Sequence, residues 1–259
     1  MPADTDMLRV ERDDAVLRLV LDRPERRNAL HPEQLAQLVA VVSDVPDDVA
    51  LVTLEGAGDA AFSAGFDITV LAAAGPGERP SESVFEAAAA LAGCPVPTLA
   101  VVRGFCLGAG FDLATACDFR IGTPTARFGV PAVRIATVYE PRSVDRIRRL
   151  LGPTVTKELF VLGREFDADR ALAVGLLQEV VAADALADAV RGWIPPNREV
   201  AAAHKRMVDR LEVRQDRPAE LWLELDALRE RSVTGADRQA ALGRFVSRSS
   251  GSDPIEGDR

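Results

Sequence analysis

The chain is short of the side chains that most enzymes use for chemistry. Its 259 residues include two histidines, three cysteines, one tyrosine and two tryptophans. His31 stands just before Pro32 and Glu33, where a helix is expected to begin, and reads as a cap or surface residue; His204 precedes Lys205 and Arg206 on an amphipathic stretch. Their scarcity argues against a His-based metal site and against a Ser-His-Asp triad. Cys94, Cys106 and Cys117 form no Cys-x-x-Cys pair and lie in apolar surroundings, so they read as reduced, partly buried thiols. Aromatics make up only 5% of the chain, and Ala, Leu and Val fill the apolar positions. A core of small side chains suggests helices packed close to a sheet, not an aromatic-rich β-sandwich.

No apolar run approaches the ~20 residues needed to span a bilayer. The first residues, Met-Pro-Ala-Asp-Thr-Asp, hold neither the basic nor the apolar stretch of a signal peptide, and a cytoplasmic location is expected. The net charge is −9, with no basic stretch, which disfavours nucleic acid and anionic membranes as partners. A phosphorylated small molecule is not excluded, because it needs only a local cluster of arginines. The Asp and Glu residues do not cluster with the two histidines at ligand spacing, so no metal is implied.

With 47% hydrophobic and 27% charged residues, the chain is ordinary for a soluble globular enzyme and long enough for one large α/β domain. Ala15–Leu21 alternates apolar and charged residues and reads as a strand at an outer position. Asp22–Asn28 reads as a polar turn, Pro32–Val42 as a helix, Val49–Leu54 as a buried strand, Ser81–Leu91 as a helix and Thr98–Val102 as a short buried strand. Over residues 15–122 strands alternate with helices, which calls for a mostly parallel sheet with helix cover. Beyond residue 142 the pattern turns helical: Arg142–Leu151, Pro153–Leu162 and Ala168–Val174, with Gln178–Val181 resembling a strand. Glu199–Leu211, Pro218–Arg231 and Ala236–Val246 follow, then a polar tail, Ser249–Arg259. The expected division is an α/β core over residues 1–195 and a helical region over 196–259. No internal repeat is visible.

Two glycine turns dominate: Ala61-Phe-Ser-Ala-Gly-Phe-Asp-Ile68 and Arg103-Gly-Phe-Cys-Leu-Gly-Ala-Gly-Phe-Asp-Leu113. Each follows a strand-like run, and the second opens a helix-like one. A backbone leaving a strand sharply exposes unpaired N–H groups, and two such turns facing each other can hold one negatively charged oxygen. Other readings of these turns fail. Gly108-Ala-Gly110 is followed by Leu113, so the third glycine of a dinucleotide fingerprint is missing. No Gly-Lys-Ser/Thr phosphate loop is present. Ser63 is not in Gly-x-Ser-x-Gly, because position 61 is alanine.

The stretch from Arg23 to Val181 resembles the crotonase superfamily, the enoyl-CoA hydratase/isomerase family. The resemblance is carried by Arg23-Pro24 with Asn28-Ala29-Leu30, the two glycine turns through Asp118, Ala126-Arg-Phe-Gly-Val-Pro131, Lys157-Glu-Leu159, Gly163 and Asp169–Leu177, in order. It implies a spiral of ββα units followed by a C-terminal helical trimerisation region, assembled as a trimer or pair of trimers. It also implies acyl-CoA thioester substrates, with coenzyme A arriving as part of the substrate and no separate cofactor. The thioester oxygen would be polarised by the backbone N–H groups of Phe66 and Ala109, the latter a glycine in many relatives. By the same match Arg26, Ala64, Asp67, Ile68, Gly108 and Pro131 would line the thioester channel. Arg26 and Arg27 are open to two readings, neutralising CoA phosphates or forming a solvated turn; Asp67 reads as the cap of the next helical turn.

The family pattern also breaks. Of the two glutamates that activate water in the family's hydratases, the first falls at Asp112 and the second at Ala132, which can neither take nor give a proton. Thr137-Val-Tyr139-Glu140-Pro141-Arg142, where relatives often have a Gly-rich turn, offers a phenol, a carboxylate and a guanidinium. Tyr139 resembles in position a tyrosine of the methylmalonyl-CoA decarboxylase branch, although Phe66 stands where that branch often has histidine. Glu140 or Asp145 would serve as a proton donor; alternatively Glu140 pairs with Arg142 or Arg146 at the rim. Four functions follow for testing: a hydratase- or isomerase-like lyase, a decarboxylase or C–C bond hydrolase, a non-catalytic acyl-CoA binder and, more remotely, a dinucleotide-dependent enzyme.

Overall fold

The computed structural model describes residues 7–75, 78–213 and 219–233. Its first strands, β1 (Leu8–Asp13) and β2 (Val16–Leu21), pair as an antiparallel hairpin. The outer position expected for Ala15–Leu21 is taken instead by β1, and β2 lies one strand in, parallel to β3 (Leu51–Gly56). The charge that suggested exposure, Arg18, is neutralised across the strands by Glu11 and Glu55, each at 2.9 Å. Helix α1 (Pro32–Ser43) connects β2 to β3, burying Leu35, Leu38 and Val42, and the His31 ring accepts the Glu33 amide at its start.

From β3 the backbone repeats one path. β3 is followed by short β4 (Ala61–Ser63), then α2 (Ile68–Ala73) and α3 (Glu82–Ala92). β5 (Thr98–Val102) is followed by β6 (Phe105–Leu107) and α4 (Ala109–Ala116). β7 (Phe119–Gly122) is followed by β8 (Arg127–Gly129), a 3-10 turn at Pro131–Ile135 and α5 (Pro141–Phe160). Each first strand enters a large sheet and each second strand a small one, which makes an α/β spiral of ββα units. With β9 (Glu165–Asp167) and β10 (Glu179–Val180), the strand orders are β1-β2-β3-β5-β7-β10 and β4-β6-β8-β9. Beyond the β1–β2 hairpin the large sheet is parallel throughout. The units recur at unequal intervals, starting at Leu51, Thr98 and Phe119, so no period shows in the sequence.

β3 and β5 are buried along their whole length, as parallel strands covered on both faces must be. On one face α1, α3 and α4 pack through residues such as Leu38, Leu91 and Phe111; on the other, Leu51, Leu99 and Ile121 meet Leu186 and Trp193. The last of these belong to or adjoin α7 (Leu186–Gly192), which follows α6 (Ala168–Ala173). α5 is interrupted at Gly152, φ +75°, matching the two segments expected on either side of it. α8 (Arg198–Val213) docks on the body through Arg198 to the Val49 carbonyl, 2.7 Å, and Lys205 to the Ala92 carbonyl, 3.2 Å. α9 (Ala219–Val233) is the last described helix. The segments Ala236–Val246 and Ser249–Arg259 lie outside the described residues. All three cysteines are buried and unpaired, and burial pushes the Cys117 thiol up to about 12, so it is inert at neutral pH. No described helix is long and apolar enough to cross a membrane.

Candidate active site

β4 and β6 are parallel neighbours, so the turns at their carboxyl ends emerge side by side. These are the two glycine turns. They touch: a methyl added to Gly65 would lie 3.6 Å from the Ala109 amide nitrogen. Gly65 has φ +107° and Gly108 φ +52°, left-handed conformations that glycine adopts without strain. Gly110 lets α4 sit directly on β4, since a methyl there would be 2.6 Å from Ser63 Cβ.

Leu30 fixes the first amide. Its N–H donates to the Gly65 carbonyl and its carbonyl accepts from the Asp67 N–H, at 2.8 and 2.9 Å. In such a bridge the intervening residue points its own N–H to the opposite side, which turns Phe66 N–H away from Leu30. Ala109 is the first residue of α4, so its N–H has no acceptor within the helix. Neither amide has an acceptor among the described residues. Both residues line one cavity of about 840 Å³.

Asp112 also lines this cavity, one turn along α4 from Ala109. It is 2% exposed, and α5 supplies both partners for its carboxylate: Ser143 Oγ donates to Oδ2 at 2.8 Å, and Arg146 donates to Oδ1. Burial raises the Asp112 carboxyl above its usual range, and Arg146 and Ser143 offset this only in part. Ala132 lines the cavity as well, so the wall where a second carboxylate is expected is apolar. Tyr139 lines it too, packed edge-on against Phe160 at 5.3 Å; burial, with Asp112 nearby, holds its phenol well above the ordinary value and therefore protonated.

Glu140 faces the cavity but is not a free carboxylate. It is bonded by Arg142 at 3.0 Å and by Arg229 of α9 at 3.1 Å, and it caps α5. Of the partners expected for Glu140, Arg142 is present, whereas Arg146 goes to Asp112. Asp145, expected as an alternative proton donor, is corrected by the structure: it does not line the cavity, and Arg148 and Arg149 of its own helix hold its carboxylate. All the remaining positions expected in the channel do line it: Arg26, Ala64, Asp67, Ile68, Gly108 and Pro131. Arg26 and Arg27 are exposed and make no ion pair among the described residues. Asp67 accepts the Thr69 amide at 3.0 Å as the cap of α2, and Arg23 also donates to it at 3.0 Å. Burial works against this charge, yet the bonds from Thr69 and Arg23 hold the Asp67 carboxyl below its usual value.

The polar turn expected over Asp22–Asn28 conceals a buried anchor. Asn28 is fully buried, donates to the carbonyls of Ala57 and Ala61 at 3.0 and 2.7 Å, and accepts from the Arg23 amide. It holds the base of the first glycine turn. Ser143, Phe85 and Arg229 belong to the site without an expectation from the sequence, and Arg146, expected at Glu140, serves Asp112 instead. Ser143 and Arg146 had a signal, since their i, i+3 spacing puts both on one face of α5. Arg229 lies in a helix whose apolar residues are not gathered on one face, so there is no local sign of which surface it meets.

The family model for enoyl-CoA hydratase/isomerase matches residues 11–248. A probable enoyl-CoA hydratase of Mycobacterium avium is 36% identical over 209 residues, 76% of this chain and 79% of that one. A second, from Mycobacterium bovis, is 32% identical over 199 residues, 76% and 77%. Among solved structures, an enoyl-CoA hydratase/carnithine racemase from Magnetospirillum magneticum aligns with TM-score 0.77 and 28% identity over 94% of this chain and 93% of that one. A methylmalonyl-CoA decarboxylase holding 2-nitronate-propionyl-CoA shares the fold, with TM-score 0.85 and 21% identity over 93% and 96%.

Proposed function

The chain belongs to the enoyl-CoA hydratase/isomerase family, and from that premise we propose that it transforms an acyl-CoA thioester through an enolate held by the amides of Phe66 and Ala109. The observation that carries this reading is the pair of unengaged N–H groups on touching turns, opening into one cavity. A thioester oxygen seated there accepts two hydrogen bonds. As the enolate forms, its charge meets donors already aimed at it, one at the N-terminus of α4. A single such donor supplies about 3 kcal/mol of barrier lowering. Arg26 and Arg27 at the rim neutralise the CoA phosphates, and Asp67 with Ile68 shapes the channel behind the thioester. Coenzyme A enters as part of the substrate and no separate cofactor takes part.

Asp112 is the acid/base group. Its raised carboxyl sits one helical turn from the Ala109 amide, and Ser143 and Arg146 fix its orientation. Tyr139, protonated, offers a hydrogen-bond donor in the same cavity. Glu140 is a weaker candidate for proton transfer because two guanidinium groups already occupy it.

Ala132 favours a second reading of the reaction within the family. Water addition uses two carboxylates, and this wall has one. Loss of carbon dioxide from a 2-carboxyacyl thioester makes the enolate without a base, leaving one protonation to complete the turnover. Purified protein offered crotonyl-, malonyl- and methylmalonyl-CoA separates the readings. Consumption of a carboxylated thioester with crotonyl-CoA untouched assigns decarboxylation, hydration of crotonyl-CoA assigns a hydratase, and tight binding without turnover of any thioester assigns a non-catalytic binder.

A homotrimer, or pair of trimers, is the assembly to test by native mass, with the described helices beyond residue 196, α8 and α9, as the proposed contact region. The exposed Val200, Met207, Val208 and Leu211 on α8 support that reading.

A further inference from the structure

In the cavity wall made by α3, the segment ahead of α5, and α9, the one well-sheltered carboxylate is shared by two guanidinium groups. Glu140 and Arg229 both line the cavity, with side chains only 14% and 13% exposed, and they pair at 3.1 Å. Arg142 also donates to Glu140, so one carboxylate serves two guanidinium groups. The other acids nearby are looser and more exposed. Glu82 lies 4.0 Å from Arg229 with its side chain 54% exposed, and Asp226 lies 3.9 Å from Arg142 at 38%. Arg142, its side chain 45% exposed, lies over the rings of Phe85 and Trp222 at 5.5 and 5.4 Å, whereas Arg229 is the sheltered guanidinium of the two.

A saturated acyl tail gains nothing from this wall and leaves Arg229 with only its shared, sheltered carboxylate. A tail ending in a carboxylate gains a charge-assisted bond in a place sheltered from water. We propose that Arg229 is a specificity-determining residue that selects CoA thioesters whose acyl chain ends in a carboxylate. The inference rests on the acyl-CoA reading above and deepens it. Glu140 acts as the stand-in anion: with no ligand it satisfies Arg229, and it competes with the incoming carboxylate.

The test is titration calorimetry of the full chain with glutaryl-CoA, butyryl-CoA and free coenzyme A. Wild-type protein binds glutaryl-CoA about tenfold more tightly than butyryl-CoA, the scale of one hydrogen bond to a charged group. Arg229→Gln abolishes the preference and leaves butyryl-CoA and free coenzyme A unchanged. Arg229→Lys restores part of it, and Glu140→Gln enlarges it by removing the competitor. Melting temperatures alongside show whether each variant folds; if Arg229→Gln does not, the opposite shifts in Arg229→Lys and Glu140→Gln decide the matter. Equal wild-type affinity for the two thioesters overturns the proposal and leaves the thioester reading standing. A loss of free coenzyme A binding in Arg229→Gln also overturns it, because Arg229 would then hold the coenzyme portion. Binding of none of the three ligands overturns the proposal and the thioester reading together.

Discussion

Replacing Gly65 by alanine strikes the two-amide arrangement while leaving every functional side chain in place. The new methyl would lie 3.2 Å from the Leu107 carbonyl oxygen and 3.6 Å from the Ala109 nitrogen, at φ +107°. The first contact is tight, so one of the two turns must shift by a few tenths of an ångström. Strain of this kind costs about 1–3 kcal/mol, and each kcal/mol lowers Tm by about 2–4 °C in a chain of this size. The catalytic cost is separate. If the shift takes one amide out of reach of the thioester oxygen, about 3 kcal/mol of barrier lowering is lost, a fall in kcat of about 100-fold. Gly175→Ala is the control: φ there is +77°, nothing lies within 4 Å of the added methyl, and the position does not line the cavity. It carries backbone strain alone. The assay is kcat on the thioester identified by the substrate panel, with melting curves beside it. Wild-type kcat in Gly65→Ala refutes the reasoning, and so does an equal loss of kcat in both variants.

Asp112→Asn keeps the shape but cannot exchange a proton, and lowers kcat by about 100-fold or more. Because burial raises the Asp112 carboxyl, a base at this position loses activity as pH falls through a value above the ordinary carboxylate pKa of about 4; a pH–kcat/KM profile shows that limb in the parent and not in the variant. Ala132→Glu puts a second carboxylate on the wall and raises hydration of crotonyl-CoA at least about tenfold; unchanged hydration would mean that the missing partner is not what limits it. Arg23→Gln leaves Asp67 buried without its guanidinium and costs about 3–5 kcal/mol in urea denaturation. The pH dependence of Asp67→Asn has a definite sign. The folded carboxyl lies below its unfolded value, so its stabilisation is present above the unfolded pKa and disappears as pH falls through the folded one. Asp67→Asn is therefore less stable than the parent at pH 7, and the two midpoints converge in acid.

How much was legible depended on the length scale of each feature. β3, β5 and α1 were readable because a continuous apolar run or a 3.6-residue spacing survives over a whole element. The small sheet was not, since β4, β6 and β8 are three residues each, too short for any period. Resemblance supplied the spiral that periodicity could not. The cavity-lining positions of the two glycine turns, and Asp112 with them, were legible because the turns themselves are sequence signals. Asn28 was missed as an anchor because buried amides look like turn amides in sequence. Arg18 misled in the opposite sense, its charge suggesting an edge when two acids on neighbouring strands neutralise it. Arg229 was beyond reach for a plainer reason: its partner Glu140 lies far back along the chain, and only the folded path brings them together.

That long separation affects how the protein comes into being. Synthesis lays down both turns and their strands well before Arg229 leaves the ribosome. The sheets and both turns can therefore be complete before the Glu140–Arg229 pair that crosses the cavity wall exists. The wall is completed last, by α9, whose Arg229 meets a carboxylate that was synthesised long before it.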